Sequence, residues 1–132
     1  MVRRFHASDR QTRLELLLEY ANKLPPLPDR FVAARDQGLY RVPECQSPVF
    51  LFLERKDDGV VLHGDAPREA PTVRGFVSLL ARGIQGAAPA EVAQLPGDLL
   101  DQLGLSEALG MTRMHGLTAM VGRVKRMAGE LK

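Results

Sequence analysis

The sequence predicts an α+β domain of two layers, a small antiparallel sheet of about three strands packed with several helices. Three observations carry this. One helical stripe precedes the proline cluster at residues 25–28, two short apolar runs flank a charged turn between residues 48 and 63, and further helical stripes follow from Val73 onward. Helix, then strands, then helices keeps the element types segregated, which excludes a doubly wound nucleotide fold. Neither G-x-G-x-x-G nor G-x-x-x-x-G-K-[ST] is present.

The first helix runs from Asp9, with Ser8 or Asp9 as its cap and Leu14, Leu17, Leu18, Ala21 and Leu24 as its apolar stripe. Pro25, Pro26 and Pro28 stop it, because proline lacks the amide donor and pushes its predecessor out of the helical region. Residues 29–46 show no steady period and read as a long connection. Pro48–Leu53 and Gly59–His63 read as strands joined by the turn chemistry of Asp58-Gly59, with a weaker third strand at Tyr40–Val42. Val73, Phe76, Val77, Leu79, Leu80 and Ile84 form the next helical stripe. Pro89 opens a short helix as an N1 proline, and Leu99, Leu100 and Leu103 make another that Gly104 closes. A final, longest helix begins near Met111-Thr112, carries Leu117, Met120, Val121, Val124 and Met127, and ends at Gly129.

Composition narrows the function classes. The 132 residues are 45% hydrophobic and 26% charged, the balance of one domain over residues 1–132. A chain of this length buries about two-thirds of its unfolded surface without metal or disulfide staples. The net charge is +2, no basic run exceeds Arg3-Arg4, and Trp is absent, so a nucleic-acid footprint and a base-stacking platform are both missing. The longest apolar run, Val49–Leu53, is far too short to span a bilayer. No apolar stretch follows the basic residues near Met1, which leaves a cytoplasmic location as the expectation. The single cysteine rules out an internal disulfide.

Cys45 is the first candidate for chemistry. It sits in Val42-Pro43-Glu44-Cys45-Gln46-Ser47-Pro48, a polar segment stiffened by prolines, whereas an inert cysteine usually lies inside an apolar stripe. Such a loop suits a thiol that must meet a partner, although an unpaired structural cysteine fits the residues as well. His6, His63 and His115 are available for a cysteine-hydrolase pair, but no spacing singles one out and no protease signature is present. No two ligands are spaced for zinc, so no metal site is expected. Turn formation and helix-start electrostatics explain Asp57-Asp58, Asp98 and Asp101. Arg123, Lys125 and Arg126 read as a solvated helix end, with a partner patch as the alternative.

The string from Val42 to Phe50, with Cys45-Gln46-Ser47 at its centre, resembles the SufE family of sulfur-acceptor proteins. Leu24-Pro25 with Leu27, Gly64-Asp65, Val73-Arg74-Gly75-Phe76, and Pro89 with Glu91 extend the match. Thr112-Arg113-Met114-His115-Gly116-Leu117 is similar to the family's S-R-x-x-G-L pattern, with Ala119-Met120 after it, so the resemblance covers about residues 10–128. It implies the SufE/IscU-like form of the α+β fold and a sulfur shuttle. In that chemistry a pyridoxal-phosphate cysteine desulfurase (SufS-like) carries a persulfide, the acceptor cysteine attacks it, desulfurase turnover is stimulated, and sulfur passes to an iron-sulfur scaffold (SufBCD-like).

By the same resemblance Cys45 is the nucleophile, able to tuck into an apolar pocket and swing out. Glu44, Gln46, Ser47, Asp65, Arg74 and Arg113 are partner-binding candidates. Arg113 is the first choice for a contact near the thiol, and a salt bridge or capping role is the alternative for Asp65 and Arg74. The chain itself then needs no cofactor and is a sulfur-transfer accessory rather than a stand-alone enzyme. A homodimer stays open. Rival readings are a paralogous acceptor for another desulfurase, a non-carrier adaptor, and a small cysteine hydrolase. Ala66-Pro67 departs from the Ser and acidic residue common after Gly-Asp, Pro48 replaces a frequent Gln, and Phe50 stands where Trp is frequent.

Overall fold

The computed structural model describes residues 10–105 and 111–131, so the expected cap at Ser8 or Asp9 and the residue His6 lie outside the described residues. Helix α1 spans Arg10–Asn22. Its stripe is rotated from the one expected: Leu16, Leu17, Ala21 and Leu24 are buried, whereas Leu18 is 45% exposed and Leu14 only half-buried. The buried arc extends from Leu17 toward Leu16, about 100° to one side, and leaves Leu18, about 100° to the other, turned away from the main packing partner. That partner is α3 (Pro71–Ile84), opened by a proline at N1 and buried along Phe76, Val77, Leu79, Leu80 and Ile84. Gly75 makes the close approach possible, since a Cβ there would collide with the Leu17 carbonyl oxygen.

Between these helices in chain order comes a hairpin of β1 (Phe50–Lys56) and β2 (Gly59–Asp65), antiparallel with Lys56 opposite Gly59 and Phe50 opposite Asp65. The turn is therefore Asp57-Asp58 rather than Asp58-Gly59, with Asp57 in the left-handed region at φ 57, which Asp tolerates. The third strand expected at Tyr40–Val42 is reduced to one bridge, Arg41 opposite Phe50. Its flanking bonds run from Val42 N to Val49 O (2.9 Å) and from Leu51 N to Tyr40 O (3.2 Å). Pairing stops there because Pro43 has no amide to donate and Tyr40 turns away at φ 64.

Alternation sorts the hairpin into two faces. Leu51, Val60, Leu62 and Gly64 face the core, Gly64 lying so close to Val77 of α3 that a Cβ would clash with its side chain. Phe52, Glu54, His63 and Asp65 face the other way, onto a helix the sequence did not announce. This α2 (Asp29–Asp36) occupies part of the segment expected to be a long connection, and it contains no buried residue. Its anchor is Phe31, stacked on Phe52 with ring centroids 4.7 Å apart. A single aromatic side chain, which also meets the His63 ring at 5.2 Å, leaves no helical stripe to read.

The remaining helices complete the core. Helix α4 (Pro89–Ala93) has its start held by Glu91, whose carboxylate accepts from Ala88 N at 3.2 Å. After α5 (Leu99–Gln102) the chain turns at Gly104, φ 73, whose carbonyl accepts from the buried Arg13 Nη1 at 3.0 Å. Helix α6 (Met111–Glu130) buries Leu117, Met120 and Val124 completely. Near its end Arg123 and Lys125 are half-buried and only Arg126 is exposed. Among the described residues no helix is long and apolar enough to cross a membrane.

Candidate functional site

Cys45 is carried by a loop closed at its base. Val42 and Val49 are fully buried and joined by the 2.9 Å backbone bond, which ties together the ends of the excursion through residues 43–48. Within it, Cys45 N donates to Val42 O at 3.2 Å, a turn that leaves Glu44 and Gln46 outside and the cysteine inside. The polar neighbours suggested a presented thiol; Cys45 is instead 7% exposed and belongs to the main core cluster. The sulfur rests against α6, where a Cβ on Gly116 would lie only 2.9 Å from Sγ.

Burial pushes the Cys45 thiol above its ordinary pKa, the charge of Glu44 pushes the same way, and Arg41 opposes them. At neutral pH the seated thiol therefore keeps its proton. Arg41, exposed beside the loop, is the cation that works against this shift. A buried, protonated thiol is a poor nucleophile.

Beside the sulfur opens a cavity of about 290 Å³. Its walls come from Cys45, Gln46 and Ser47 on the loop, from Glu69, Ala70, Pro71, Thr72 and Val73 at the start of α3, and from Arg113, Gly116 and Leu117 on α6. Four expected residues, Cys45, Gln46, Ser47 and Arg113, thus meet in one place. Glu44 stands outside the lining but close enough to act on the thiol's charge.

Asp65 and Arg74 lie elsewhere. Asp65 is on the outer hairpin face, 3.2 Å from Arg35 Nη1. Arg74 clamps α1 to the segment after β2, donating to Ala21 O at 3.1 Å and to Ala66 O at 2.7 Å. Ala66, one of the family departures, is buried and serves that clamp through its carbonyl. His63 Nε2 is 2.7 Å from Glu54 Oε1 on the outer face, and His115 is exposed on α6; neither lines the cavity. Among the described residues no group of three or more His, Cys, Asp and Glu converges for a metal ion.

Glu69, Thr72 and Gly116 were not singled out for a role by sequence reasoning. The signal available for Glu69 and Thr72 was position alone: they flank Pro71, the N1 proline of α3, and that helix start faces the loop.

Comparison with known proteins agrees with this arrangement. The family model described as SufE, Fe-S metabolism associated domain, matches residues 1–128. An uncharacterized SufE-like protein of Mycobacterium tuberculosis is 43% identical over 121 residues, covering 91% of this chain and 82% of the relative. The sulfur acceptor protein CsdE of Escherichia coli is 31% identical over 105 residues, covering 79% of this chain and 68% of its own. The solution structure of a hypothetical protein from Thermus thermophilus superposes with a TM-score of 0.82 at 33% identity, over 98% of this chain and 90% of that one. With its family model spanning nearly every residue, the chain belongs to the SufE family.

Proposed function

We propose that this protein is a sulfur acceptor and carrier that takes sulfane sulfur from a cysteine desulfurase onto Cys45, stimulates that enzyme, and passes the sulfur on for iron-sulfur cluster assembly. The observation that carries the reading is the placement of the chain's sole cysteine on a base-pinned loop above a cavity, within a SufE-family chain. The sulfur acceptor name of the Escherichia coli relative supports the same chemistry.

In the transfer, Cys45 gives up its proton and its thiolate attacks the terminal sulfur of the desulfurase's cysteine persulfide in line. The bond between the two donor sulfurs breaks as the Cys45 Sγ–S bond forms. The donor cysteine leaves as a thiolate, Cys45 becomes the persulfide, and no net oxidation occurs. The pyridoxal phosphate that generates the donor persulfide belongs to the desulfurase. Gln46 and Ser47 beside the thiol, and Arg113 at the exposed side, line the cavity, which supports them as contacts for the partner. Cys45 and Arg113 reach the same cavity from different elements, so a partner that engages α6 also reaches the loop.

The test is desulfurase turnover of free cysteine with and without this protein. Wild type should raise turnover, and Cys45→Ser should not, although it still binds. Equal stimulation by both proteins would replace the carrier reading by a non-carrier adaptor.

A further inference from the structure

One missing methyl group shapes the place where Cys45 rests. Gly116 is buried in the interior of α6, where glycine is a poorer helix former than alanine. A Cβ at this position would stand 2.9 Å from Cys45 Sγ, but 3.5 Å from Cys45 Cα and 3.7 Å from Cys45 Cβ. The last two are ordinary contacts, so the conflict is with the sulfur alone. Gly122 on the same helix gives the contrast, with nothing within 4 Å of its Cβ position. The glycine at 116 is thus required by what lies against it, and the one at 122 is not.

The loop adds the second half of the argument. Its base is fixed by the Val42–Val49 bond and two buried valines, so residues 43–48 are the part free to lift. We propose that Gly116 is a positioning residue for Cys45: its bare Cα forms the notch that holds the thiol inside the protein, and any side chain there would displace the sulfur. The proposal deepens the sulfur-acceptor reading, because a carrier so built keeps its thiol away from oxidants and stray thiols until a partner lifts the loop.

Alkylation of Cys45 by iodoacetamide, followed by intact mass, reads the notch without any desulfurase. Gly116→Ala should alkylate on the order of tenfold faster than wild type. Its alkylation midpoint in pH should also move down toward that of a free thiol, because burial is what raises it. The charged groups around the thiol, Glu44 and Arg41 beside it and Glu69 and Arg113 in the cavity wall, are the same in both proteins. Gly122→Ala gains the same helix propensity and should alkylate at the wild-type rate. A wild-type rate in Gly116→Ala, or equal acceleration in Gly122→Ala, overturns the proposal.

Where Gly116→Ala lowers the melting temperature, adding Cys45→Ala should recover most of the loss, since the conflict needs the sulfur. An equal loss in both backgrounds counts against the notch. Faster alkylation of Gly116→Ala together with no sulfur loading of wild type would sink the carrier reading and leave the role of Gly116 standing.

Discussion

The seat of Cys45 and the outer face of the hairpin are the two places where reactive or charged side chains gather, and they are built on opposite terms. On the outer face Arg30 pairs with Glu54, Glu54 with His63, and Arg35 with Asp65 and Asp36, all partly or fully in contact with water. Every one of those groups has a partner. At the seat, a lone thiol is buried against a helix backbone, and burial dominates its titration. The outer face satisfies its charges and holds α2 in place; the seat holds a thiol out of water and in its protonated form. Density of charge is a poor guide to chemistry here, and a mismatch between a group and its surroundings is a better one.

Breaking each region in turn should separate the two roles. The largest effect is expected from Cys45→Ser, which should abolish sulfur loading entirely while costing about 1–3 kcal/mol in urea unfolding, because it buries a hydroxyl in the core cluster. Loading of Cys45→Ser would place the acceptor elsewhere. Next comes Arg74→Ala, which leaves the carbonyls of Ala21 and Ala66 without their donor and should cost about 1–3 kcal/mol. A neutral result would mean that water replaces the guanidinium at no cost. Phe31→Ala removes the stacked anchor of α2 and should cost about 1–2 kcal/mol, less than a fully buried phenylalanine, with faster hydrogen exchange confined to residues 29–36. Sulfur loading should survive it, and a collapse of loading would tie α2 to the seat.

The smallest effects belong to the ion pairs. Arg35→Ala should lower stability only slightly in urea unfolding, as loss of a partly solvated pair does. Burial pushes the Glu54 carboxyl up, but its bonds to His63 and Arg30 outweigh that and leave it below the ordinary glutamate range. A carboxyl lowered in the folded state stabilises above its unfolded pKa, so this contribution is present at neutral pH and fades as pH falls below about 4. Urea titrations across that range should show a shallower acid loss in Glu54→Gln than in wild type; parallel curves would remove Glu54 from the acid response.

What the sequence made legible follows from how each element is held. Helices α1, α3 and α6 bury long stripes, and their periodicity announced them, although Leu18 shows that two adjacent leucines leave the exact face open. Helix α2 escaped notice because Phe31 anchors it almost alone. The third strand shrank to a bridge because Tyr40 adopts a left-handed conformation that no local pattern signals in a tyrosine. Cys45, Gln46, Ser47 and Arg113 were legible through local motifs and do meet. The burial of the thiol was expected only through the family resemblance and not from its polar neighbours, because it depends on Gly116 arriving from a distant helix while Glu44 and Gln46 stay in water. Asp65 and Arg74 matched the motif too but lie away from the cavity, in the salt bridge and clamp that geometry alone could place.

The most direct measurement is the intact mass of this protein after incubation with a cysteine desulfurase and free cysteine, beside Cys45→Ser treated identically. A gain of one or more sulfur atoms on wild type, reversed by a reductant and absent from Cys45→Ser, is the expected result. Wild type that gains no sulfur while still stimulating the desulfurase would contradict the carrier role of Cys45.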